Sequence, residues 1–350
     1  MARAQVKSLG LVVAVMAALL ATPALARPKW ALVIHGGAGV IERKDLTPET
    51  EAAYRAAMVR AAATGTAVLD KGGTAMDAIE AVIRDLEDDP LFNAGRGAVF
   101  TAEGRNELDA AVMDGKTLMA GSVAGVTRTR HPISLARAVM EQSRHVMMIG
   151  AGADAFAASV GLEQVDPSYF FTERRWQGLV KALGDQGLPV PPRPAGAPSP
   201  QAFQPIPDDR KFGTVGVVAL DSAGNVAAGT STGGMTAKRW GRVGDAPIIG
   251  AGTYASNASC AVSATGSGEY FIRLTVAREV CALVQYEGLT LQQAADEVIQ
   301  DRLTAIGGDG GVIAIAPDGQ IAWSFNTSGM YRARAAEGQP TVVSIYKDEQ

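Results

Sequence analysis

Gly213-Thr214-Val215-Gly216-Val217-Val218-Ala219-Leu220-Asp221 is the stretch from which the organisation of this chain can be worked out. It begins an apolar run with a threonine, soon after a long segment, residues 185–209, that is rich in proline and alanine. Eight prolines lie in residues 189–207, and they exclude a helix or a central strand there because proline lacks the backbone N–H donor. Structureless segments of this length are uncommon inside compact domains and are often functional. The sequence therefore predicts a special role for the junction at Thr214.

The positions of the histidines indicate what that role is. The chain has three histidines, and His35, His131 and His145 all precede Thr214. A hydroxyl nucleophile needs a neighbouring base. A threonine that becomes the first residue of a chain has one of its own, because its free α-amino group has a pKa of about 7.7–8.0 and can accept the hydroxyl proton near neutral pH. The junction therefore predicts a precursor that cleaves itself between Gly213 and Thr214.

The composition is that of a globular protein. Of 350 residues, 47% are hydrophobic and 19% are charged, which provides ample material for a buried core and too little charge for a disordered chain. The formal net charge is −4 and no run is rich in Lys and Arg. A nucleic-acid partner is therefore not expected.

The N-terminus has the pattern of a secretory signal peptide. Arg3 and Lys7 supply positive charge, residues 9–20 are apolar, and Ala24-Leu25-Ala26 has the small residues that signal peptidase requires. A membrane anchor is the alternative, because the uncharged stretch 8–26 is long enough to span a bilayer. Pro23 and the Ala-x-Ala ending favour a cleaved signal peptide over residues 1–26. They predict a mature protein that is periplasmic or secreted, with no membrane attachment.

The predicted strands and helices occur in runs on both sides of the proline-rich loop. Before it, we expect strands at 30–34, 121–127 and 146–149, a hairpin of 98–101 with 108–114, and helices over 49–71, 74–88, 134–142 and 170–183, with another from Asp154. After it, we expect strands at 214–221, 226–231, 260–265, 311–316, 321–326 and 341–346, and helices over 270–286 and 290–305. This order fits helices layered on the outside of two packed sheets. Residues 27–350 are therefore expected to form one composite domain.

The chain has two cysteines, Cys260 and Cys281. Export would permit a disulfide between them. We expect instead two buried apolar thiols, since Cys260 lies in a strand of small residues and Cys281 follows an amphipathic helical run. Neither has a histidine nearby or forms a Cys-x-x-Cys pair, so no metal site is predicted from them.

Two motifs suggest other chemistries. Gly229-Thr230-Ser231-Thr232-Gly233 matches the nucleophile elbow of serine hydrolases, and His35-Gly36-Gly37 resembles an esterase oxyanion loop. That fold needs its histidine after the serine, and no histidine follows position 145. The glycines of 36–39 also lack the spacing and the Lys-Ser/Thr ending of a phosphate-binding loop. Neither a serine hydrolase nor a phosphate site is therefore predicted.

An N-terminal threonine also needs donors for an oxyanion and a means of holding its substrate. Residues 265–268, Thr-Gly-Ser-Gly, offer a hydroxyl and accessible backbone N–H groups just before a predicted helix. Residues 238–245 form a glycine-rich loop of mixed charge. In it, Arg242 could bind a carboxylate through two hydrogen bonds and Asp245 could receive an ammonium. Taken singly, the first motif is also compatible with an ordinary helix-start turn and the second with a solvated surface turn.

Six motifs in a fixed order resemble the plant-type L-asparaginase and isoaspartyl peptidase family of N-terminal-nucleophile hydrolases. They are His35-Gly36-Gly37-Ala38-Gly39, Phe92-Asn93-Ala94-Gly95, Gly213-Thr214-Val215-Gly216, Thr230-Ser231-Thr232-Gly233-Gly234-Met235-Thr236, Gly241-Arg242-Val243-Gly244-Asp245 and Ala264-Thr265-Gly266-Ser267-Gly268-Glu269. The likeness runs from about Trp30 to the C-terminus and spares only the N-terminal segment and the proline-rich loop. Each motif alone is weak, and their order makes the resemblance specific.

The resemblance implies an α+β fold, a four-layer αββα sandwich of the N-terminal-nucleophile hydrolase type. The chain would be cleaved into an α chain, residues 27–213 with the linker 185–213, and a β chain, residues 214–350. Two such pairs usually assemble into a dimer of heterodimers. The partners implied are small molecules, with no nucleic acid and no membrane.

The resemblance also assigns roles to individual residues. The catalytic group would be Thr214 as nucleophile with its freed amine as base, Thr232 orienting its hydroxyl, Thr265 and the N–H of Gly266 as oxyanion donors, and Asn93 close by. The substrate-binding group would be Arg242 for the α-carboxylate, and Asp245 with Gly268 for the α-ammonium.

No cofactor for catalysis is implied, but a structural sodium ion is. In the family, backbone carbonyl groups of one loop hold this ion, and the matching carbonyls here belong to Leu86, Glu87, Asp89, Phe92, Ala94 and Arg96. Because only backbone groups bind the ion, we expect the side chain of Arg96 to face away from it.

The implied chemistry is hydrolysis at the side-chain carbonyl of an aspartyl unit. Attack by Thr214 would release ammonia from L-asparagine or a peptide from a β-aspartyl dipeptide, and water would hydrolyse the resulting ester. We expect both activities, with β-aspartyl dipeptides the better substrates. Two alternatives remain. One is cleavage of N4-(β-N-acetylglucosaminyl)-L-asparagine, which Gly213 disfavours because related glycosylasparaginases carry aspartate there. The other is an uncleaved relative that binds amino acids without turning them over.

Overall fold

The computed structural model describes residues 28–199 and 213–349. The predicted signal peptide, residues 1–26, and residues 200–212 of the predicted linker lie outside these ranges. The strands are β1 (Ala31–Gly39), β2 (Leu108–Asp114), β3 (Ala120–Val126), β4 (Met147–Ile149), β5 (Val215–Leu220), β6 (Val226–Thr232), β7 (Thr253–Ala255), β8 (Ala261–Gly266), β9 (Gly310–Ile315), β10 (Ile321–Phe325), β11 (Gly329–Ala336) and β12 (Val342–Tyr346).

The helices form three clusters along the chain. The α-helices are α1 (Pro48–Asp70), α2 (Ala75–Asp88), α3 (Pro132–Gln142), α4 (Gly150–Ser159), α5 (Glu173–Asp185), α6 (Gly268–Leu274), α7 (Val276–Ala282) and α8 (Leu291–Asp296). Single 3-10 turns occur at Arg43–Asp45, Gly95–Gly97 and Pro167–Phe170, and π-helical turns at Leu283–Glu287 and Glu297–Leu303 continue α7 and α8. No helix in the described ranges combines the length and the apolar composition needed to cross a membrane.

The larger sheet joins the two halves of the chain. Its strand order is β12-β11-β1-β5-β6-β2-β3-β4, and its neighbours are antiparallel except for β3 and β4. β5, which follows Thr214 directly, pairs with β1 on one side and β6 on the other. All six residues of β5 are buried, which explains why its sequence is a continuous apolar run rather than an alternating one.

α1, α2 and α3 cover one face of the larger sheet. α2 begins at a capping box in which Thr74 and Asp77 each accept the backbone N–H of the other. Its apolar residues recur at helical spacing, and Ile79 and Ile83 share one core with Val217 of β5. This packing places the C-terminus of α2, and the loop that follows it, beside the end of β6.

The smaller sheet has the order β10-β9-β8-β7 and is antiparallel throughout. Successive residues of β9 enter different cores, because Val312 packs with the residues of α7 and α8 whereas Ile313 packs with Val218 of the larger sheet. The smaller sheet therefore lies between its own helices and the larger sheet. The predicted mixed architecture of two sheets with helices is confirmed.

Cys260 and Cys281 form a disulfide, so the prediction of two free thiols is wrong. Their Cα atoms are 5.4 Å apart, and both side chains are fully buried. Cys260 directly precedes β8 and Cys281 lies in α7. The two residues meet because α7 packs on β8, which their separation of 21 residues in sequence does not reveal.

Two local predictions before the linker are also wrong. Residues 98–101 and 108–114 do not form a hairpin, because β2 pairs with β3 and β6, and an isolated bridge alone joins Phe100 to Asn106. The helix expected over 170–183 begins at Glu173, because the 3-10 turn ends at Phe170 and Thr172 caps α5.

Two further differences lie after the linker. The helix expected over 270–286 is interrupted at Thr275, whose φ of 48° is left-handed and ends α6. β11 was not predicted, because Arg332 and Arg334 interrupt its apolar residues. It nevertheless pairs with β1 and β12 inside the larger sheet.

Candidate active site

Thr214 lies directly before β5, where its side chain is only 9% exposed. Its hydroxyl donates to the hydroxyl of Thr232, with an Oγ–Oγ distance of 3.1 Å. Thr232 ends β6 and also accepts the N–H of Gly234 at 3.0 Å. The antiparallel register of β5 and β6 pairs Val215 with Ser231, so the next pair along the ladder is Thr214 with Thr232. The structure therefore brings together the two threonines singled out in the sequence.

His35 lies beneath Thr214 and fixes its backbone. The Nδ1 atom of His35 is 3.1 Å from the carbonyl oxygen of Thr214, and the Nε2 atom is 3.0 Å from the hydroxyl of Ser263. Burial lowers the pKa of His35 to about 3, so the ring is neutral. Because a carbonyl oxygen can only accept, Nδ1 carries the proton and Nε2 accepts from Ser263. His35 therefore has no free nitrogen with which to act as a base for Thr214.

Gly216 is required for this close approach of His35. A Cβ atom at position 216 would overlap both the hydroxyl of Ser263 and the Nε2 atom of His35. Only glycine leaves room for the two side chains to meet across the gap between the sheets. Packing of His35 against Ser263 therefore explains why a glycine follows Thr214 by two residues.

A chain of hydroxyl groups continues from His35 towards the loop that carries the predicted clamp. Ser263 is 2.7 Å from the hydroxyl of Thr230, and Thr253 donates to Thr230 at 2.7 Å. Thr253 also lies 3.1 Å from the carbonyl oxygen of Ala246. All three hydroxyl-bearing residues are fully buried. The chain connects the backbone of Thr214 with the loop around residue 245.

Asn93 holds the peptide unit that precedes Thr214. Its backbone N–H donates to the carbonyl oxygen of Gly213 at 3.0 Å. Its side-chain amide accepts from Val99 N–H at 2.9 Å and donates to the carbonyl oxygen of Gly234 at 2.8 Å. A Cβ atom at position 213 would lie 2.7 Å from the Cβ of Asn93. The predicted cleavage site is therefore clamped from both sides and has little space for a residue larger than glycine.

Thr265 and Gly266 end β8 of the smaller sheet, on the far side of the site. The hydroxyl of Thr265 is fully buried and accepts the N–H of Ala38 at 3.3 Å. A Cβ at position 266 would overlap the carbonyl oxygen of Asp309. β1 thus contacts both parts of the predicted catalytic group, through His35 at Thr214 and through Ala38 at Thr265.

Arg242, Asp245 and Gly268 meet at the start of α6. A Cβ at position 268 would lie 2.8 Å from the Nη2 atom of Arg242 and 3.0 Å from the backbone nitrogen of Asp245. The Nε and Nη2 atoms of Arg242 donate to the two carboxylate oxygens of Glu269, each at 2.9 Å. This pairing uses one side of the guanidinium and leaves Nη1 for another anion. Glu269 had no role in the sequence-based prediction.

Asp245 is buried, and burial raises its pKa to about 7. Its Oδ2 atom has no hydrogen-bond partner among the described residues. A buried carboxylate oxygen without a donor is costly, and a bound ammonium would supply both the donor and the opposite charge. The role expected for Asp245 stays a prediction.

Ser231 of the Gly-x-Ser-x-Gly motif points to the opposite face of β6. Its hydroxyl donates to Oε1 of Glu87 at 2.6 Å, and both side chains are fully buried. Burial raises the pKa of Glu87 to about 8. Because successive side chains of a strand alternate between faces, Ser231 cannot join Thr232 beside Thr214. The structure therefore gives no support to the serine-hydrolase motif.

The loop after α2 brings backbone carbonyl groups close to its glycines. Leu86 and Glu87 lie in the last turn of α2, whose carbonyls have no partner within the helix. Gly95 has a φ of 49°, and a Cβ there would overlap the carbonyl oxygen of Glu87. A Cβ on Gly97 would likewise overlap the carbonyl oxygen of Phe92. The carbonyl groups of Glu87 and Phe92 therefore lie against the two glycines, next to the negative end of the α2 dipole.

The remaining predicted carbonyls of this loop are partly used. Those of Asp89 and Ala94 accept the N–H groups of Phe92 and Gly97, which leaves each oxygen a second lone pair. The side chain of Arg96 is exposed, with its guanidinium 5.7 Å from the ring centre of Tyr169, so it faces outward as expected. In the described ranges no cluster of three or more His, Cys, Asp or Glu side chains could hold a metal ion.

Sequence reasoning missed several residues of the site. The sequence patterns place His35 before Thr214 and in a glycine-rich motif without indicating its contact with Thr214, and they do not indicate Ser263. Asp109, the direct cross-strand partner of Thr232, was also missed, although a lone carboxylate inside the apolar run Leu108–Met113 is a signal that could have identified it.

Comparison with known proteins identifies the family of this chain. Residues 28–345 match the model of a family described as Asparaginase. The isoaspartyl peptidase of Escherichia coli (strain K12) is 48% identical over 321 residues, which cover 92% of this chain and 97% of that protein. The plant-type L-asparaginase of Pyrococcus furiosus is 40% identical over 309 residues, 88% of this chain and 97% of that protein. The isoaspartyl peptidase/L-asparaginase of Homo sapiens is 38% identical over 309 residues, 88% and 94% respectively.

These matches confirm the resemblance drawn from the six motifs. They extend over almost the whole described chain and over almost the whole length of each relative. This chain belongs to the family of plant-type asparaginases and isoaspartyl peptidases.

Proposed function

We propose that this protein is an isoaspartyl peptidase with L-asparaginase activity that matures by cleaving its own chain between Gly213 and Thr214. The observation that carries the proposal is the setting of Thr214. Its hydroxyl is held by Thr232 at 3.1 Å, directly after a peptide unit that Asn93 fixes. The names of the relatives from Escherichia coli and Homo sapiens support the choice of substrates.

Self-cleavage would proceed by transfer of the Gly213 acyl group from nitrogen to oxygen. The hydroxyl oxygen of Thr214 attacks the carbonyl carbon of Gly213, and the nitrogen of Thr214 leaves with a proton. Water then hydrolyses the ester, which gives an α chain ending at Gly213 and a β chain with a free amine on Thr214. The hydrogen bond from Asn93 N–H to the Gly213 carbonyl oxygen would steady the charge that develops there. The two chains would remain together in a four-layer αββα sandwich, as two sheets with outer helices favour.

Hydrolysis of substrate would use the same hydroxyl with a new base. The freed amine of Thr214 takes the hydroxyl proton and later gives it to the leaving ammonia or amino group. Thr265 and the N–H of Gly266 would stabilise the oxyanion. Arg242 would hold the α-carboxylate of the substrate, and Asp245 with Gly268 its α-ammonium. Water then hydrolyses the β-aspartyl ester on Thr214 and releases aspartate.

The state of His35 supports the amine as the base of the mature enzyme. His35 is neutral and both of its nitrogen atoms are engaged, one by the backbone of Thr214 and one by Ser263. It therefore holds Thr214 in place without taking its proton. The hydroxyl of Thr214 is hydrogen-bonded to Thr232, and a threonine is too weak a base to act alone.

Neither alternative is favoured by a specific observation. An aspartate at position 213, as in the glycosylasparaginases, would crowd Asn93, since a Cβ there would lie 2.7 Å from the Cβ of Asn93. The relatives named above are called peptidases and asparaginases, not sugar–asparagine hydrolases. The buried, unpartnered oxygen of Asp245 would serve an uncleaved amino-acid-binding relative equally well, so self-cleavage and turnover are what separate that alternative from the enzyme.

The sodium ion expected from the family fits the loop after α2. The carbonyl oxygens of Leu86, Glu87, Asp89, Phe92, Ala94 and Arg96 would hold it, and they are the hard oxygen ligands that such a cation prefers. The ion would stabilise the loop that leads into Asn93. It would take no part in the chemistry, for which we propose no cofactor.

Export and assembly complete the proposal. Cys260 and Cys281 form a disulfide, which is typical of oxidising compartments and supports export by the predicted signal peptide, residues 1–26. A periplasmic or secreted protein is therefore proposed. We further propose a dimer of αβ heterodimers.

Intact mass and N-terminal sequencing of the purified protein test this function. We expect two fragments, one beginning at Arg27 and one at Thr214, and release of aspartate from both β-aspartyl dipeptides and L-asparagine. A single chain that stays intact on prolonged incubation and releases no aspartate would refute the proposal. Release of aspartate from a sugar–asparagine conjugate but from neither expected substrate would favour the glycosylasparaginase alternative.

A further inference from the structure

The precursor cannot use the base that serves the mature enzyme. Before cleavage, the nitrogen of Thr214 belongs to the peptide bond with Gly213, so it has no basic lone pair. His35 is engaged at both nitrogen atoms. Self-cleavage, which the proposed function requires, therefore needs a proton acceptor that has not yet been assigned.

Asp109 stands in one row with the two threonines of the site. β2, β6 and β5 are neighbours in the larger sheet, and Asp109 is the direct partner of Thr232 across β2 and β6. Directly paired residues share a face of the sheet, with Cβ atoms about 4.5–5.5 Å apart. Thr214, Thr232 and Asp109 therefore lie side by side on three adjacent strands, on the face towards the smaller sheet.

A bulge fixes the orientation of Asp109. The register of β2 and β3 shifts between Leu108 and Ala110, and Gly125 opposite has a φ of 67°. The N–H of Gly125 donates to Oδ1 of Asp109 at 2.8 Å. Bulges re-aim side chains next to active sites, and here one carboxylate oxygen is held while the other is left for a different partner.

Thr232 and Asp109 have complementary unmet hydrogen-bonding needs. The hydroxyl of Thr232 accepts from Thr214 and from Gly234 N–H, and its own proton has no acceptor among the described residues. The Oδ2 atom of Asp109 is fully buried and has no donor within the same ranges. One residue thus lacks an acceptor and its direct cross-strand partner lacks a donor. A small side-chain rotation or a single bridging water would join them.

We propose that Asp109 accepts, through the hydroxyl of Thr232, the proton that leaves the hydroxyl of Thr214 during self-cleavage. Asp109 acts through Thr232 and does not touch the scissile bond, so it is a positioning residue for the nucleophile that also stores its proton. The inference rests on the proposed function, because it explains a step that only a self-cleaving precursor needs.

The steps balance without any further reactant. Thr232 gives its hydroxyl proton to Asp109 and receives that of Thr214, while Oγ of Thr214 bonds to the carbonyl carbon of Gly213. The bond from that carbon to the nitrogen of Thr214 then breaks. The nitrogen gains a proton and Asp109 returns to its carboxylate form. Water finally adds hydroxyl to the Gly213 carbonyl and a proton to Oγ of Thr214.

The charges around Asp109 suit a proton acceptor. Two cations, Lys238 and Arg242, act on Asp109 from the loop after β6, and Glu107 acts on it from the residue just before β2. Asp245 is close enough that Asp109 raises the pKa of Asp245. Burial raises the pKa of Asp109 despite the two cations. A carboxylate with a raised pKa is a stronger base. Thr232 lies between Asp109 and Thr214, so a proton from Thr214 would reach Asp109 through Thr232.

The test compares Asp109→Asn with the wild type by following precursor and fragments over time. Asparagine keeps the shape and the hydrogen bond from Gly125 but cannot take a proton. We expect fragment formation to slow by at least about 100-fold, the lower range for loss of an acid–base group. Turnover of β-aspartyl dipeptide per free Thr214 amine should fall much less than the cleavage rate, because the amine is the base by then. Asp109→Glu should restore much of the cleavage rate.

Asp221→Asn is the matched control. Asp221 is a buried carboxylate at the other end of the strand that Thr214 precedes, and it accepts the N–H groups of Ala75, Ala223 and Asn225. This variant should cleave at the wild-type rate. Equal cleavage rates in Asp109→Asn and the wild type would overturn the inference, as would a defect confined to substrate affinity.

The pH dependence of wild-type cleavage provides a second test that needs no folded variant. The rate should rise with pH through a midpoint above the usual range of an aspartate and then level off, because Asp109 must be ionised to accept the proton. A flat rate across this range would overturn the inference even if Asp109→Asn failed to fold. A wild-type chain that never cleaves would instead refute the proposed function itself, so the two failures are distinguishable.

Discussion

The two halves of the site are held in different ways. The proposed nucleophile row, which we define as Thr214, Thr232 and Asp109, lies on adjacent strands of the larger sheet and is buried throughout. The proposed substrate clamp, defined as Arg242, Asp245 and Gly268, lies on a loop and at the start of a short helix. The position of Arg242 depends on Glu269, whose side chain is 55% exposed.

The two ways of holding these residues predict different functions for the nucleophile row and the substrate clamp. Strand register fixes the row, because a slip of one residue would turn every side chain to the other face. The clamp is fixed by charge, and its ion pair with an exposed partner contributes little to stability. Self-cleavage should therefore depend mainly on the row and substrate affinity mainly on the clamp, and the charges of Arg242, Asp245 and Asp109 are the contact between the two.

Thr214→Ala tests the row with the largest expected effect. The variant lacks the attacking oxygen, so we expect an uncut chain and no detectable release of aspartate from either substrate. Mass spectrometry and a dipeptide assay measure both outcomes. Thr214→Ser is the matched control, since it keeps a hydroxyl and should still cleave. Fragments beginning at position 214 in the alanine variant would show that the Thr214 hydroxyl is not the attacking group.

Arg242→Ala tests the clamp and should leave the row intact. We expect normal cleavage, with kcat/KM for β-aspartyl dipeptides reduced about 100-fold, because a charge-assisted contact to a carboxylate contributes about 3 kcal/mol. Arg239→Ala is the control. Arg239 belongs to the same turn but donates to Gln186, so its removal should leave kcat/KM unchanged. Wild-type kinetics in Arg242→Ala would remove Arg242 from the clamp.

The pH dependence of turnover sharpens the role of Asp245. Burial raises the pKa of Asp245 to about 7, and only the ionised form attracts an ammonium. We therefore expect kcat/KM to fall as the pH decreases through about 7. Bound substrate stabilises the carboxylate, so this limb should be absent from kcat. A limb caused by the Thr214 amine would appear in both parameters, which distinguishes the two groups. An Asp245→Asn variant that kept the limb in kcat/KM would rule out this assignment.

Much of the larger sheet could be predicted because its signals are local. The apolar run after Thr214 indicates a buried strand, and the Thr74–Asp77 cap with the apolar spacing that follows it indicates α2. The ordered motifs likewise indicated which residues would surround Thr214. In these cases the information lies within a few neighbouring residues.

The contacts that complete the site could not be predicted in this way. His35 is 179 residues from Thr214 in sequence and 228 from Ser263, and only the pairing of β1 with β5 and the packing of the sheets brings them together. β11 was missed for a related reason, since Arg332 looks like a surface residue. Its guanidinium is instead buried, donates to the backbone carbonyls of Met330 and Tyr346 and lies over the ring of Phe325. Long-range packing leaves no local pattern.

Removing the disulfide tests the same comparison between the nucleophile row and the substrate clamp, and it should have the smallest effect on activity. Cys260 and Cys281 close a segment that contains Thr265, Gly266 and Gly268, all on the side of the smaller sheet. Replacing both cysteines by alanine should lower the free energy of unfolding by about 3 kcal/mol, the value for a closed loop of this length. The melting temperature should then fall by about 4–5 °C for a chain of this size.

The effect should be confined to stability and to the segment that the disulfide closes. The nucleophile row lies in other strands, so we expect self-cleavage at the wild-type rate, followed by a modest rise in KM because Gly268 is less firmly placed. Thermal melts with and without reductant measure the stability difference: reductant should lower the wild-type value and leave the double variant unchanged. Slow cleavage in a stably folded double variant would show that the two halves are coupled through the smaller sheet. Strand register in the larger sheet would then not be sufficient to hold Thr214 ready for attack.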